Sequence, residues 1–485
     1  MSKRNWLALG ASALFLALAF PPFRLEEISF FAFLPLFILF FDPACRRRFL
    51  IWGALGVGLI YESLFFSWLF SYDAALFWAA LALTAPLLPL YFLILHGLTR
   101  KFSSAFLKIT AAAALWVVLH EIFRQTPVGA LLFEAPFYGF QGLYPGAAIF
   151  GFTGVAALAL AFNAALALYF TRRSASSFAV FLAALLLLTG LAGWGKMQAG
   201  QSLAPATLQV ALAQHNLPDD LEWREINWRS VERHYRKTAR EAAAFQPDLT
   251  FFPLYTLPEG ILNHRDDFFS KITQQSGSAV IAASHLPTPV APNSWEEKLE
   301  EMGEAGYVNT ALLYSKEGKE TGRYEAVRAE PFALLLKQLF SGGPPRYQLL
   351  ETPVGKAGIL LCYEDALPEV AETAVKSGAR FLAALSNTGW FTSTHLPDYH
   401  LIQDRLRAIE SHRWLVRVTP NGHSAIINPH GRVVAQSGLD EEKVLAGRIG
   451  IESGETFYHR FPLLLPLVSW VFVIGIGLLN LRKKK

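Results

Sequence analysis

The stretch Ile359-Leu360-Leu361-Cys362-Tyr363-Glu364-Asp365 joins a short apolar run to a thiol, a phenol and two carboxyls. The apolar run reads as a buried strand. A strand that stops in reactive side chains holds them on a rigid support at a sheet edge, where a pocket can form. A cysteine near an acid is a candidate nucleophile, because the reactive form is the thiolate and something must take the proton. The competing reading is a buried cysteine acting as small apolar filler. Other chemistries find less support. There is no Gly-x-Gly-x-x-Gly after a strand, no Gly-Lys-Ser/Thr and no Gly-x-Ser-x-Gly, so neither a nucleotide-phosphate loop nor a serine nucleophile is expected. His395, His400, His412 and His423 lack metal-ligand spacing, so the expectation is no metal and no cofactor. His400 reads as a satisfied core or surface residue.

The elements that must position Cys362 sit in an unusual chain. Of 485 residues, 53% are hydrophobic and only 17% charged. Soluble domains carry roughly 25% charged residues, so at least part of this chain belongs in a membrane. The net charge of +4 is modest, and the basic residues sit in short clusters between apolar runs. That pattern suits membrane topology and argues against nucleic acid as a partner.

Apolar runs recur over residues 1–200: Trp6–Phe23, Ile28–Phe41, Phe49–Phe70, Ala74–Leu98, Phe106–Phe123, Ala147–Phe170 and Phe178–Trp194. Each approaches the ~20 residues of a bilayer-spanning helix, although the second is short and followed by Pro43. A bundle of about seven helices is expected. Lys3 and Arg4, Arg46-Arg47-Arg48, Arg100 with Lys101 and Lys108, and Arg172-Arg173 fall in alternate loops, which places the N-terminus in the cytoplasm. A last run, Phe461–Leu481, ends in Arg482-Lys483-Lys484-Lys485, a second cytoplasmic anchor. The expected organisation is therefore 1–200 membrane bundle, 201–458 extracytoplasmic domain, and 459–485 final transmembrane helix with a basic tail. Cys45, the only other cysteine, then lies across the membrane from Cys362 and cannot pair with it. The aromatic loop from Arg124 to Gly146 reads either as an interfacial belt or as a re-entrant segment lining a lipid route.

Residues 201–458 alternate short apolar runs with amphipathic stretches. Strands are expected at Thr207–Ala213, Leu249–Phe252, Ala279–Ala283, Thr310–Tyr314, Gly358–Leu361, Phe381–Leu385, Leu415–Thr419 and Ser424–Asn428. Helices are expected at Trp228–Phe245, Pro368–Lys376 and His400–Arg413. Strands separated by helices imply βαβ units with helices covering a sheet.

This order of elements resembles the bacterial apolipoprotein N-acyltransferases, membrane proteins that carry a nitrilase-type (carbon–nitrogen hydrolase) domain. The resemblance rests on Val210-Ala211-Leu212-Ala213-Gln214-His215-Asn216-Leu217-Pro218 followed by Trp223, on Leu361-Cys362-Tyr363-Glu364, and on Ser386-Asn387-Thr388-Gly389-Trp390-Phe391. Arg405-x-Arg407-Ala408-x-Glu410-x-x-Arg413, Asn421-Gly422 and Pro429-x-Gly431-Arg432 extend it. It implies an α-β-β-α sandwich outside the bacterial inner membrane, with both termini cytoplasmic. It also implies a glutamate–lysine–cysteine triad. The glutamate takes the thiol proton and the lysine stabilises the oxyanion. Cys362 accepts an acyl chain from a phospholipid as a thioester and passes it to the amino-terminal lipidated cysteine of a lipoprotein. Trp223, Tyr363 and Glu364 correspond to residues that shape the acyl pocket.

Two triad positions depart from that pattern. The family's tryptophan-proline-glutamate reads here as Phe252-Pro253-Leu254, so the base position is Leu254. The lysine segment reads Tyr324-Glu325-Ala326, with Pro331 and Phe332 keeping register, so the lysine position is Ala326. Each loss commonly costs a factor of about 100 or more. Glu364 reaches the same face as Cys362 only if the strand continues. Glu259, Glu325, Glu330, Arg328 and Lys337 are the other nearby substitutes. The alternative to an acyltransferase is a catalytically dead member that retains lipid- or lipoprotein-binding surfaces.

Overall fold

A computed structural model describes residues 3–18, 25–72, 74–124, 135–199, 205–217, 228–255, 257, 261, 264–287, 307–328, 347–388 and 394–482. The chain divides into two compact units, 1–201 together with 457–485, and 202–456.

The first unit is helical: α1 (Lys3–Ala17), α2 (Glu26–Ser29), α3 (Leu34–Phe41), α4 (Arg47–Phe65), α5 (Ser67–Tyr72), α6 (Ala74–Thr84), α7 (Leu87–Thr99), α8 (Ala105–Phe123), α9 (Ala147–Arg172), α10 (Ala175–Ala199) and a C-terminal helix, Leu464–Arg482. Six stretches among the described residues are long and apolar enough to cross a membrane, five of them before residue 200. The expected first and second crossings are shorter than the others: α1 has 15 residues and α3 has 8. The second run is divided because Phe30–Phe33 form turns between α2 and α3. Pro86 has no N–H for the carbonyl four residues back, and α6 gives way to α7 there.

Alanines carry the close packing. Ala111 and Ala112 of α8 and Ala156, Ala164, Ala165 and Ala167 of α9 are completely buried. Small side chains let helix backbones approach where lipid supplies no hydrophobic drive. Two polar groups inside donate to backbone: Asn163 Nδ2 to the Phe30 carbonyl at 2.8 Å and Tyr91 Oη to the Ala112 carbonyl at 2.9 Å. The described part of the aromatic loop packs back into this unit. Phe137 stacks on Phe33 at 5.5 Å and Tyr138 on Phe152 at 5.1 Å, with all four rings buried.

The second unit contains two six-stranded sheets. The first comprises β1 (Ala206–Gln214), β2 (Leu249–Leu254), β3 (Ala279–Pro287), β4 (Tyr307–Tyr314) and β5 (Glu320–Glu325), and the second begins with β6 (Leu350–Thr352), β7 (Gly355–Leu361), β8 (Phe381–Leu385), β9 (Leu415–Val418), β10 (Ala425–Ile427) and β11 (Val433–Gln436). The last strand, β12 (Lys443–Gly450), returns to pair antiparallel with β1, giving orders β12-β1-β2-β3-β4-β5 and β11-β10-β9-β8-β7-β6. Strands β1–β3 are parallel to one another, as are β7–β9.

Period-two alternation sorts each strand onto two faces. Leu208, Val210 and Leu212, Ala357, Ile359 and Leu361, and Phe381, Ala383 and Leu385 fill the space between the sheets. Ala213, Phe252, Val280 and Leu312 face the other way, against α11 (Trp228–Ala243) and α12 (Arg265–Ser276). On the second sheet, α13 (Pro368–Lys376) and α14 (Leu396–Ser411) cover the outer side. Gly358 permits that: a Cβ there would meet Ala374 Cβ of α13 at 2.9 Å. The result is the α-β-β-α sandwich. Sequence patterning missed α12 and β5, β6, β11 and β12. The edge strand β5 buries only Tyr324 and is too polar to stand out as an apolar run, and the edge strand β11 is only four residues long with none fully buried.

Candidate active site

Strand β7 runs apolar and buried to Leu361, which is still extended (φ −101°, ψ 121°). The next residue, Cys362, has φ +50° and opens a 3-10 turn, Cys362–Ala366. A non-glycine residue at positive φ is uncommon and is sustained only where surrounding structure over-determines it. The strand therefore stops at Leu361, and the alternation that would have put Cys362 and Glu364 on one strand face does not apply. Cys362 is half-buried, and neither it nor Cys45 is in a disulfide.

Two buried carboxyls fasten the turn. Glu364, fully buried, accepts from the backbone N–H of Val327 at 2.8 Å, of Arg328 at 3.1 Å and of Leu361 at 2.9 Å, and from Tyr324 Oη at 2.9 Å. It thereby ties the end of β7 to the segment just after β5. Burial raises its pKa to about 7, against those same hydrogen bonds, which favour the carboxylate. Asp365, also fully buried, contacts His400 Nδ1 at 2.8 Å and accepts from Arg417 Nη1 at 3.0 Å and Ser386 Oγ at 3.3 Å. Burial opposes its ionisation, but the contacts with His400 and the Arg417 guanidinium prevail and hold its pKa below the usual value. Arg417 also reaches Asp404 at 2.6 Å, and burial holds that second carboxyl above its usual value. His400 is thus a brace for the turn. Arg417, an arginine inside the apolar strand Leu415-Val416-Arg417-Val418, was the overlooked sequence signal. A fully buried arginine requires a partner.

The structure brings to one end of the sandwich the three positions that the resemblance assigns to the triad. Leu254 is the last residue of β2, Ala326 follows the last residue of β5, and Cys362 follows the last residue of β7. Leu254 is fully buried in the core between the sheets, and Ala326 and Cys362 pack against that same core. Pro253, which has no N–H, marks a bulge where pairing with β3 shifts, leaving Leu254 opposite Ala283. Ala326 is held by its N–H to the Asn309 carbonyl at 2.9 Å and is one residue from a donor to Glu364. Tyr363 is half-buried in the turn, its hydroxyl pKa raised by burial. Glu325 is exposed and Arg328 partly so. Trp223, Glu259, Glu330 and Lys337 lie outside the described residues.

The carbon-nitrogen hydrolase family model matches residues 209–457, and the model of the apolipoprotein N-acyltransferase N-terminal domain matches residues 12–165. The chain is 27% identical to the apolipoprotein N-acyltransferase of Geobacter metallireducens, covering 99% of this chain and 96% of that one. It is likewise 27% identical, with the same coverage, to that of Azotobacter vinelandii. Among solved structures, a carbon-nitrogen hydrolase from Helicobacter pylori matches with a TM-score of 0.40 and 17% identity, over 50% of this chain and 88% of that one.

Proposed function

The chain belongs to the carbon-nitrogen hydrolase family, in its apolipoprotein N-acyltransferase branch, and from that premise we propose that it acylates lipoproteins through a thioester on Cys362. The observation that carries the reading is Cys362 itself. It stands at positive φ where a buried parallel strand ends, on a turn fastened by two buried carboxyls. The first step is attack of the Cys362 Sγ thiolate on an ester carbonyl of a phospholipid. The C–S bond forms, the ester C–O bond breaks, and the lysophospholipid alkoxide leaves with a proton. In the second step the amino group of the lipoprotein's lipidated terminal cysteine attacks the thioester. The amide C–N bond forms, the C–S bond breaks, and the thiol is restored.

Leu254 and Ala326 supply neither a base nor a cation, so the chemistry is slow relative to a member with all three groups. Glu364, with its pKa near neutrality, is the titratable group two residues from the thiol. Its role is to hold the turn and the segment after β5 together, because both of its oxygens already accept hydrogen bonds. The reading places the protein in the bacterial inner membrane, with residues 202–456 in the periplasm and both termini in the cytoplasm. Tyr363 then borders the acyl chain. The named relatives described above are acyltransferases, which gives the non-catalytic alternative no support.

The test is thioester formation. Purified protein in detergent is incubated with phospholipid bearing a labelled acyl chain, and hydroxylamine-sensitive label on the protein is followed, with Cys362→Ser as control. Label lost in the variant is the expected result. An absence of label, while a relative with an intact triad is labelled in parallel, overturns the reading and leaves a binding protein.

A further inference from the structure

The helical unit contains a carboxyl that the proposed chemistry does not use. Glu62 lies near the end of α4, one of the stretches able to cross a membrane, and is 7% exposed. Its Oε2 has no hydrogen-bond partner among the described residues. Carboxyls inside a membrane bundle are costly, and one that persists calls for a partner. It lines a cavity of about 40 Å³. The other residues that give this cavity its character are Phe33, Tyr61, Thr84, Tyr91 and Trp116. No lysine, arginine or histidine is among the described residues that line it.

The surroundings are suited to positive charge. Four aromatic rings border the space, and ring faces attract cations, more strongly when water is excluded. Phe33 and Tyr91 meet Trp116 edge-on, at 5.5 and 5.8 Å, which holds three of the rings in a fixed cluster. The Tyr91 hydroxyl is already committed to Ala112, so its ring rather than its oxygen is what it offers. One oxygen acceptor besides Glu62 lines the space, Thr84 at the end of α6. Gly58, one turn before Glu62, also lines it and lets α4 pack closely on the α6–α7 break: a Cβ there would stand 2.8 Å from the Ala85 oxygen.

Size narrows the choice. A site needs roughly 10–15 Å³ by this measure for each water-sized group, so about three such groups fit. An ammonium with its first carbon is of that size. We propose that the cavity beside Glu62 binds a primary alkylammonium group, with the carboxylate as counter-ion and the rings of Phe33, Tyr61, Tyr91 and Trp116 as walls. The site lies wholly within the helical unit and is independent of the Cys362 reading.

The test is equilibrium binding of radiolabelled amines to the full-length protein in detergent. Two probes are used, octadecylammonium as a membrane-borne amine and ethylammonium as a soluble one. Saturable binding to the wild type is expected, weakened about tenfold or more in Glu62→Gln, because the acceptor loses its charge. Thr84→Val, which keeps the cavity's shape, is expected to weaken binding by a smaller factor and serves if Glu62→Gln does not fold. Binding of octadecylammonium alone assigns the site to a membrane amine, and binding of both assigns it to soluble amines as well. Absence of saturable binding to the wild type overturns the proposal. So does equal binding by the wild type and Glu62→Gln, or equal competition by sodium or tetramethylammonium ions.

Discussion

The turn that carries Cys362 and the two positions gathered at the same end of the sandwich differ in what they retain. Around the turn, Glu364 and Asp365 accept from Tyr324, Val327, Arg328, Leu361, Arg417 and Ser386, and every one of these contacts is partly or wholly buried. Leu254 and Ala326 present hydrocarbon. The difference separates scaffold from reagent. Removing a buried hydrogen-bonded carboxyl strands its donors and costs folding free energy, so such groups persist whatever the rate of reaction. A base or a cation that serves only the reaction carries no such obligation. An apolar side chain there fits the fold at least as well, because functional groups are commonly held at some cost to stability.

The largest effect that would sharpen this contrast is a gain. Leu254→Glu together with Ala326→Lys is expected to raise the rate of Cys362 acyl labelling by about 100-fold per restored group. An unchanged rate, in a folded double variant, would break the assignment of those two positions. Next comes the scaffold. Asp365→Asn removes the charge facing Arg417 and His400 and is expected to cost about 3–5 kcal/mol, read as a lower denaturation midpoint. Cys362→Ser is expected to leave that midpoint nearly unchanged.

The third test uses pH. Glu364 moves from an ordinary 4.5 to about 7 on folding, which corresponds to about 3 kcal/mol. Because its folded pKa is raised, its favourable contribution is full below about pH 4.5 and is lost as pH rises through about 7. The melting temperature should therefore fall between about pH 5 and about pH 8. Glu364→Gln should flatten that slope without abolishing it, since Asp404 is shifted in the same direction. A steeper slope in the variant would contradict the assignment. The smallest effect concerns Glu325, which is exposed at the end of β5. Glu325→Gln should alter stability by less than about 0.5 kcal/mol and leave labelling unchanged. A large loss of labelling would instead identify Glu325 as a substitute base.

Local pattern was enough for several of these features. The run Ile359–Leu361 ending in a thiol and acids, the apolar stretches before residue 200, and the continuous apolar runs of β7, β8 and β9 are short-range signals, because burial on both faces of a strand or along a membrane span is written directly into the local sequence. Family motifs added the register that picks out Leu254 and Ala326. Some elements were invisible for a stated reason. Strand β5 is polar and half-exposed, and β12 pairs with β1 across more than two hundred residues, so neither imposes a contiguous apolar run. The turn itself depended on tertiary structure. Whether β7 continued past Leu361 was decided by Glu364 reaching Val327 and Arg328 and by Asp365 reaching Arg417, contacts 36 to 52 positions apart in the chain. A carboxyl's role is set by which donors and charges the fold brings within about 3 Å of it, and spacing along the chain does not encode that distance.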